Sequence, residues 1–233
     1  MQNNLFYPNG INLNMVYNPV MLNIFSDASI IKRNKKYIGC YGSLAVTGDH
    51  ILEKKYFIDS DTTVNKSEIK GIRTSLELAI KYARDFRFVN IFSDSQVSIL
   101  GLRDYIYNWK YNNGKLYSSS GKPVANQEIF YQCMQMLMHP NIDEKVNLFH
   151  QSGHIDNSYN KLVRAANTFA TANNIVGNVD LNLIRYISTY NNIVDKESRT
   201  ILLNSDKKKN YEDAISFIIK KPIRKGVYDE YYK

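Results

Sequence analysis

The chain has 233 residues, 44% of them hydrophobic, which excludes a disordered protein and suits one domain, or one domain with an insertion, around a sizeable core. Its 30 basic and 22 acidic residues give a net charge of +8, which favours an anionic partner such as nucleic acid. Cys40 and Cys133 stand far apart without metal-ligand spacing, no apolar run approaches the roughly 18–20 residues of a membrane span, and no basic segment leads into an apolar signal core, so a cytoplasmic monomer with no disulfide framework and no membrane partner is expected.

In chain order, residues 1–20, with Pro8, Gly10 and Pro19 among many Asn, predict an irregular N-terminal arm. Leu22 to Ser29 reads as an apolar strand that delivers Asp27 near its end, and Ile91-Phe92-Ser93-Asp94 repeats the tetrapeptide of Ile24 to Asp27. Two such strands side by side would pair their carboxylates where functional residues gather in α/β sheets, and clustered acids are costly unless a metal neutralises them. Either Asp could instead cap the turn or helix that follows it.

Between these strands, a basic loop at Lys32 to Lys36 precedes a strand from Tyr37 to Val46, a turn at Thr47-Gly48-Asp49, and a hairpin partner from Ile51 to Ile58. Ile69, Ile72, Leu76, Ala79, Ile80 and Ala83 then have the spacing of an amphipathic helix whose first turn carries Glu68. A strand from Phe88 to Ser93 is followed by a helix opening at Asp94-Ser95-Gln96 and running to about Trp109. Lys110 to Ala125 reads as an exposed basic loop, and Asn126 to Met138 as a helix. Val146 to Phe149 is a short strand, His150 to His154 a polar loop, and Ser158 to Ala172 a helix; after a break, another helix starts near Asn191. The segment 204–233, rich in Lys and Tyr, reads as a weakly structured basic tail.

This order predicts an α/β fold with a five-stranded mixed sheet, its first three strands antiparallel, flanked by helices. Asp27-Ala28-Ser29, Asn65-x-x-Glu68 at a helix start and Asp94-Ser95-Gln96 after a strand resemble the catalytic signature of ribonuclease H, type 1. Asn108-Trp109-Lys110, Asn113-Gly114-Lys115, Ser120-Gly121-Lys122-Pro123-Val124 and Asn126 are similar to that family's substrate-binding segment. The resemblance runs from about Leu22 to Arg199 and implies a ribonuclease H-like catalytic domain over 21–203.

The family's last catalytic helix opens with Asn-x-x-Ala-Asp-x-x-Ala-Arg. The helix after the His loop offers Asn160-Lys161-Leu162-Val163-Arg164-Ala165-Ala166, with an amide where the acid should stand, whereas Asn191 to Arg199 fits with Asp195 intact. We therefore expect a helical insertion over 157–188 and Asp195 as the fourth acid, with the Asn160 position as the alternative for that site.

The resemblance implies an endonuclease that hydrolyses the RNA strand of an RNA–DNA hybrid, leaving 3′-hydroxyl and 5′-phosphate ends. It implies two Mg²⁺ ions, with Mn²⁺ able to substitute, held by Asp27, Glu68, Asp94 and Asp195. His154, with His150 as the alternative, would aid proton transfer. Asn65 and Gln96 would sense the hybrid near the metals. Trp109, Lys110, Lys122 and Asn126 would grip its DNA strand, although Trp109 could equally be core. The rivals are a related nuclease cutting DNA junctions and a catalytically weak hybrid-binding module.

Overall fold

The computed structural model describes residues 20–33, 35–153, 155 and 158–205. Most of the expected N-terminal arm and C-terminal tail, and His154, lie outside these residues. Three antiparallel strands open the fold: β1 (Met21–Arg33), β2 (Lys36–Thr47) and β3 (His50–Asp59). Helix α1 (Val64–Tyr82) follows, started by Thr63, whose side chain accepts from the Lys66 N–H. Then come β4 (Phe88–Ser93) and the short helix α2 (Gln96–Leu100), which continues as a π-helical turn over Gly101–Tyr105 and a 3₁₀ turn over Ile106–Asn108.

The segment expected as a loop contains a small hairpin, β5 (Lys110–Asn112) and β6 (Lys115–Tyr117), turned at Asn113 and Gly114, which both take positive φ. Helix α3 (Gln127–Leu137), β7 (Val146–His150), α4 (Tyr159–Ala172) and α5 (Leu181–Asn204) complete the chain.

Two expectations change. The basic segment near Lys32 to Lys36 is largely strand, because β1 and β2 stay paired out to Arg33 and Lys36. The last helix does not begin near Asn191 but ten residues earlier, at Leu181, where the Asp180 carboxylate caps it by accepting from the Asn182 N–H at 2.7 Å. Leu183, Ile184, Ile187, Tyr190 and Val194 carry one buried stripe through that start, so residues 181–188 belong to the helix that bears Asp195.

The five-stranded sheet runs β3-β2-β1-β4-β7, with β1, β4 and β7 parallel. Strand alternation sorts their side chains into two cores. Leu22, Ile24 and Ile91 pack with Ile72 and Leu76 of α1 and Phe130 of α3, while Phe25, Phe92 and Phe149 pack with Phe169 of α4 and Tyr186 and Tyr190 of α5. The second face is ordered in rows. Phe25, Phe92 and Phe149 stack from strand to strand at centroid distances of 5.1 and 5.2 Å. Below them Asn147 donates to Asn90 (3.0 Å) and Asn90 to Asn23 (2.9 Å), and Asn23 donates to the Tyr186 hydroxyl (3.2 Å). Buried amides bonded in a chain hold one strand register, since a one-residue slip would orphan them. Among the described residues no helix is long and apolar enough to cross a membrane.

Candidate active site

The register that stacks these rows also places the first two acids. Ser26 of β1 is paired with Ser93 of β4, so Asp27 and Asp94 are the next positions on neighbouring parallel strands. Gln151 continues this row past the end of β7, its N–H donating to the Ser93 carbonyl at 3.0 Å. The row therefore supplies two acids and a buried amide.

Asp27 is only 8% exposed. Its Oδ1 accepts from the Ala28 N–H at 2.6 Å and its Oδ2 from Asn191 Nδ2 at 3.2 Å. Asn191 lies one helical turn before Asp195 on α5, so both reach the same side of the helix. Asp195 Oδ1 accepts from the Ser29 hydroxyl at 3.4 Å, back on β1. From the opposite face of the sheet, α1 brings Glu68, whose Oε2 accepts from the Ser95 hydroxyl at 2.6 Å. Ser95 also caps α2 by accepting from the Ser98 N–H, which ties the Glu68 carboxylate to the turn that follows Asp94.

The Asp27 carboxyl is pushed up to about 8, first by burial and then by the charge of Asp94, with Asp195 and Glu68 adding to it and the Ala28 N–H opposing it. These causes name Asp94, Asp195 and Glu68 as the carboxylates whose charge reaches the buried Asp27. Among the described residues, no three acidic, imidazole or thiol side chains are already grouped closely enough to hold an ion. The donor set is nevertheless all oxygen and all anionic, which is what a hard divalent cation takes, and such a cation would offset the repulsion.

The loop after β7 lies against this cluster. A side chain at Gly153 would come within 2.5 Å of Asp94 Oδ2, so the backbone there passes directly over the carboxylate. His154, the next residue, lies outside the described residues. His150 is fixed: its N–H donates to Asn173 Oδ1 (2.9 Å), its carbonyl accepts from Asn173 Nδ2 (2.7 Å), and its Nε2 stands 3.2 Å from the Asp94 carbonyl. Burial, aided by Arg103, holds its imidazole below the ordinary value, against the Asp94 carbonyl.

Of the other expected residues, Asn65 and Gln96 are exposed in the first turns of α1 and α2, on the acid-bearing ends of those helices. Trp109 is half-buried and meets Phe130 edge-on at 5.0 Å, with its flank in the core beneath α3. Lys110 and Lys122 are exposed on the hairpin and the turn after it, and Asn126, in the left-handed conformation at φ 55°, precedes α3. Asn160 is exposed near the start of α4.

Sequence reasoning passed over Ser29, Ser95 and Asn191, which hold the acids. Their signal is spacing: two serines within two residues of an Asp, and an amide four residues before Asp195.

The family model for RNase H matches residues 19–172. Ribonuclease HI of Haemophilus influenzae is 29% identical over 146 residues, 62% of this chain and 85% of that protein. Ribonuclease HI of Pasteurella multocida is 35% identical over 102 residues, 44% of this chain and 60% of that protein. In fold, the chain is similar to a solved structure of the foamy viral protease-reverse transcriptase in complex with RNA/DNA hybrid, at a TM-score of 0.53 and 13% identity, covering 72% of this chain and 21% of that one. The family match takes in Asp27, Glu68 and Asp94 and ends before α5, which carries Asp195. With its mixed sheet, its acids just past the last register pair of β1 and β4, and a match over most of its length, this chain belongs to the ribonuclease H family.

Proposed function

We propose that this chain is an endonuclease that hydrolyses the RNA strand of RNA–DNA hybrids by two-metal-ion catalysis with Mg²⁺, leaving 3′-hydroxyl and 5′-phosphate ends. The convergence of Asp94, Asp195 and Glu68 on the buried Asp27 carboxylate carries this reading. Two bound ions supply an activated water, a neutralised phosphate and a stabilised leaving oxygen. Asp27, Glu68, Asp94 and Asp195 would hold them. The Ala28 N–H and Asn191 orient the two oxygens of Asp27, and Ser95 and Ser29 orient Glu68 and Asp195.

His154, beside the Gly153 that touches Asp94, accepts or delivers a proton and hastens product release. Asn65 and Gln96, exposed beside the acids, bond the 2′-hydroxyl that distinguishes RNA from DNA. Lys110 and Lys122 neutralise phosphates of the DNA strand, with Asn126 as a further contact, and the exposed edge of Trp109 stacks beside them.

The test is cleavage of labelled RNA–DNA hybrid in Mg²⁺ and then Mn²⁺, with single-stranded RNA, duplex RNA, duplex DNA and a four-way DNA junction as controls. Cleavage confined to the hybrid, and lost in Asp94→Asn, is the expected result. Cutting of the junction alone would replace the substrate, and hybrid binding without cutting under either metal would make this a binding module.

A further inference from the structure

The sheet level of Asp27 extends sideways as a row: Asp27 is paired with Gly42 on β2, and Gly42 with Tyr56 on β3. The missing side chain at Gly42 is what admits the Tyr56 ring, because a Cβ there would stand 2.1 Å from Tyr56 Cδ1. Tyr56 is 2% exposed, and its one polar atom is directed at α5, donating to Glu197 Oε2 at 2.7 Å. The other oxygen, Glu197 Oε1, receives Lys54 Nζ at 2.5 Å, with both side chains largely out of solvent.

Glu197 is thus a fifth carboxylate, two residues from Asp195, whose two oxygens are both committed to β3. Two residues along a helix is a rotation of about 200°, so Asp195 and Glu197 leave α5 on opposite flanks. One flank meets Ser29 of β1 beside the acid cluster, and the other is tied to Tyr56 and Lys54. The Ser29 contact to Asp195, at 3.4 Å, is long for a hydrogen bond, and Asn191 on the same flank reaches Asp27 at 3.2 Å. A helix fastened on its far flank has little freedom to roll, and rolling is the motion that would carry Asp195 away from Asp27.

We propose that Tyr56 and Lys54 are positioning residues for the metal centre, acting through Glu197 to fix the rotation of α5 and so the place of Asp195. This rests on the metal-dependent reading above. It assigns a function to three side chains outside the acid cluster, two of them on an edge strand at the far side of β2.

The experiment measures Mg²⁺ binding to the full chain by calorimetry without nucleic acid. Alongside it run the Mg²⁺ dependence of hybrid cleavage, the KM for hybrid and the melting temperature, for Tyr56→Phe, Glu197→Gln, Lys54→Met and Lys54→Arg. Tyr56→Phe and Lys54→Met should each weaken Mg²⁺ binding roughly tenfold, the low end of what loss of a ligand's own partner costs, because they act on Asp195 one step further out, through the helix. KM for hybrid should stay within about twofold. Glu197→Gln, which keeps an acceptor for Tyr56, should fall between them and wild type, and Lys54→Arg, which keeps the ion pair, should restore wild-type affinity.

Lowered melting temperatures with unchanged Mg²⁺ affinity in both Tyr56→Phe and Lys54→Met would overturn the proposal and leave a purely structural clamp. Tyr56→Phe removes one oxygen and Lys54→Arg none of the charge, so folded protein is available for the comparison. If wild type cuts no hybrid while the variants still lose Mg²⁺ affinity, the functional reading fails and the positioning role stands. Hybrid cleavage by wild type with no shift in any variant would have the opposite meaning.

Discussion

Two of the four acids ride on strands and two on helices, and they are held by different forces. Asp27 and Asp94 follow the last register pair of two parallel strands, so the backbone ladder and the Phe and Asn rows beneath it set their separation. Glu68 and Asp195 arrive from opposite faces of the sheet, and each accepts from a serine hydroxyl, at 2.6 and 3.4 Å. The strand pair is therefore built into the fold, whereas the helix pair is adjusted by side chains. Strand acids should be intolerant of replacement but insensitive to neighbours; helix acids should respond to whatever fixes their helix.

The largest effect is expected where the strand pair itself is changed. Asp94→Asn should lower single-turnover hybrid cleavage on the order of a thousandfold or more, the several kcal/mol that a lost metal ligand costs. Asp195→Asn should cost roughly a hundredfold, partly recovered at high Mg²⁺ or in Mn²⁺, while Asn160→Ala leaves the rate unchanged. Equal losses in Asp94→Asn and Asp195→Asn, with no recovery in either, would erase the distinction between the pairs.

Legibility in the sequence followed the same division. The repeat of Ile-Phe-Ser-Asp exposed the strand pair directly, and it has a third, weaker copy: Val89-Asn90-Ile91-Phe92 and Val146-Asn147-Leu148-Phe149 align with Leu22-Asn23-Ile24-Phe25. Reading that copy would have placed Gln151 in the acid row. The helix that bears Glu68 was legible from its period, a local property, whereas the acid itself, just past the first turn of α1, was singled out by the Asn65-x-x-Glu68 resemblance.

The start of α5 was not legible, because Asn191 belongs to a motif familiar from helix openings, and the Asp180 cap lay eleven residues upstream in a polar stretch. Nor could spacing show that Glu197 turns away from the acids, since its partners Lys54 and Tyr56 are more than 140 positions distant and meet it only through tertiary packing. The hairpin of β5 and β6 was hidden by composition. Its strands are three residues each and mostly polar, below the length at which alternation becomes visible.

Acid crowding gives the next effect, in the absence of divalent cation. Asp27 holds its proton up to about pH 8 in the folded chain against an ordinary value of 3.8. A raised carboxyl pKa means that the folded state binds the proton more tightly than the unfolded state. The stability it confers is complete below about pH 4 and is lost progressively as pH rises to about 8. Melting temperature without metal should thus decline from pH 5 to pH 8.5. Asp27→Asn should flatten that decline, and Mg²⁺ should raise the melting temperature more at pH 8 than at pH 5, since proton and cation compete for the same oxygens. A metal-free profile that rises with pH would show that the four acids do not crowd one another.

The end of β7 tests the division from the other side, because it is a strand end secured by a helix. Among the described residues β7 is the edge of the sheet, with no further strand to bond His150. Its place is taken by the Asn173 amide at the C-terminus of α4. That amide accepts from the His150 N–H and donates to its carbonyl, as a neighbouring strand would, while also donating to the Phe169 carbonyl. Arg103 reinforces it by donating to Asn173 Oδ1 at 2.9 Å and to the Ala172 carbonyl at 2.8 Å.

Asn173 is fully buried, so Asn173→Ala should strand several partners at once and cost roughly 2–4 kcal/mol in urea unfolding. Asn173→Asp keeps the acceptor for His150 N–H and Arg103 but loses both donated bonds, and should fall between Ala and wild type. Because His150 touches the Asp94 carbonyl and the next residues carry the loop over its carboxylate, the cleavage rate should drop only several-fold, with Mg²⁺ affinity intact. Should Asn173→Ala instead weaken Mg²⁺ binding as much as the Tyr56 and Lys54 variants do, then Asp94 is positioned through its helix neighbours too, and the strand ladder alone does not place it.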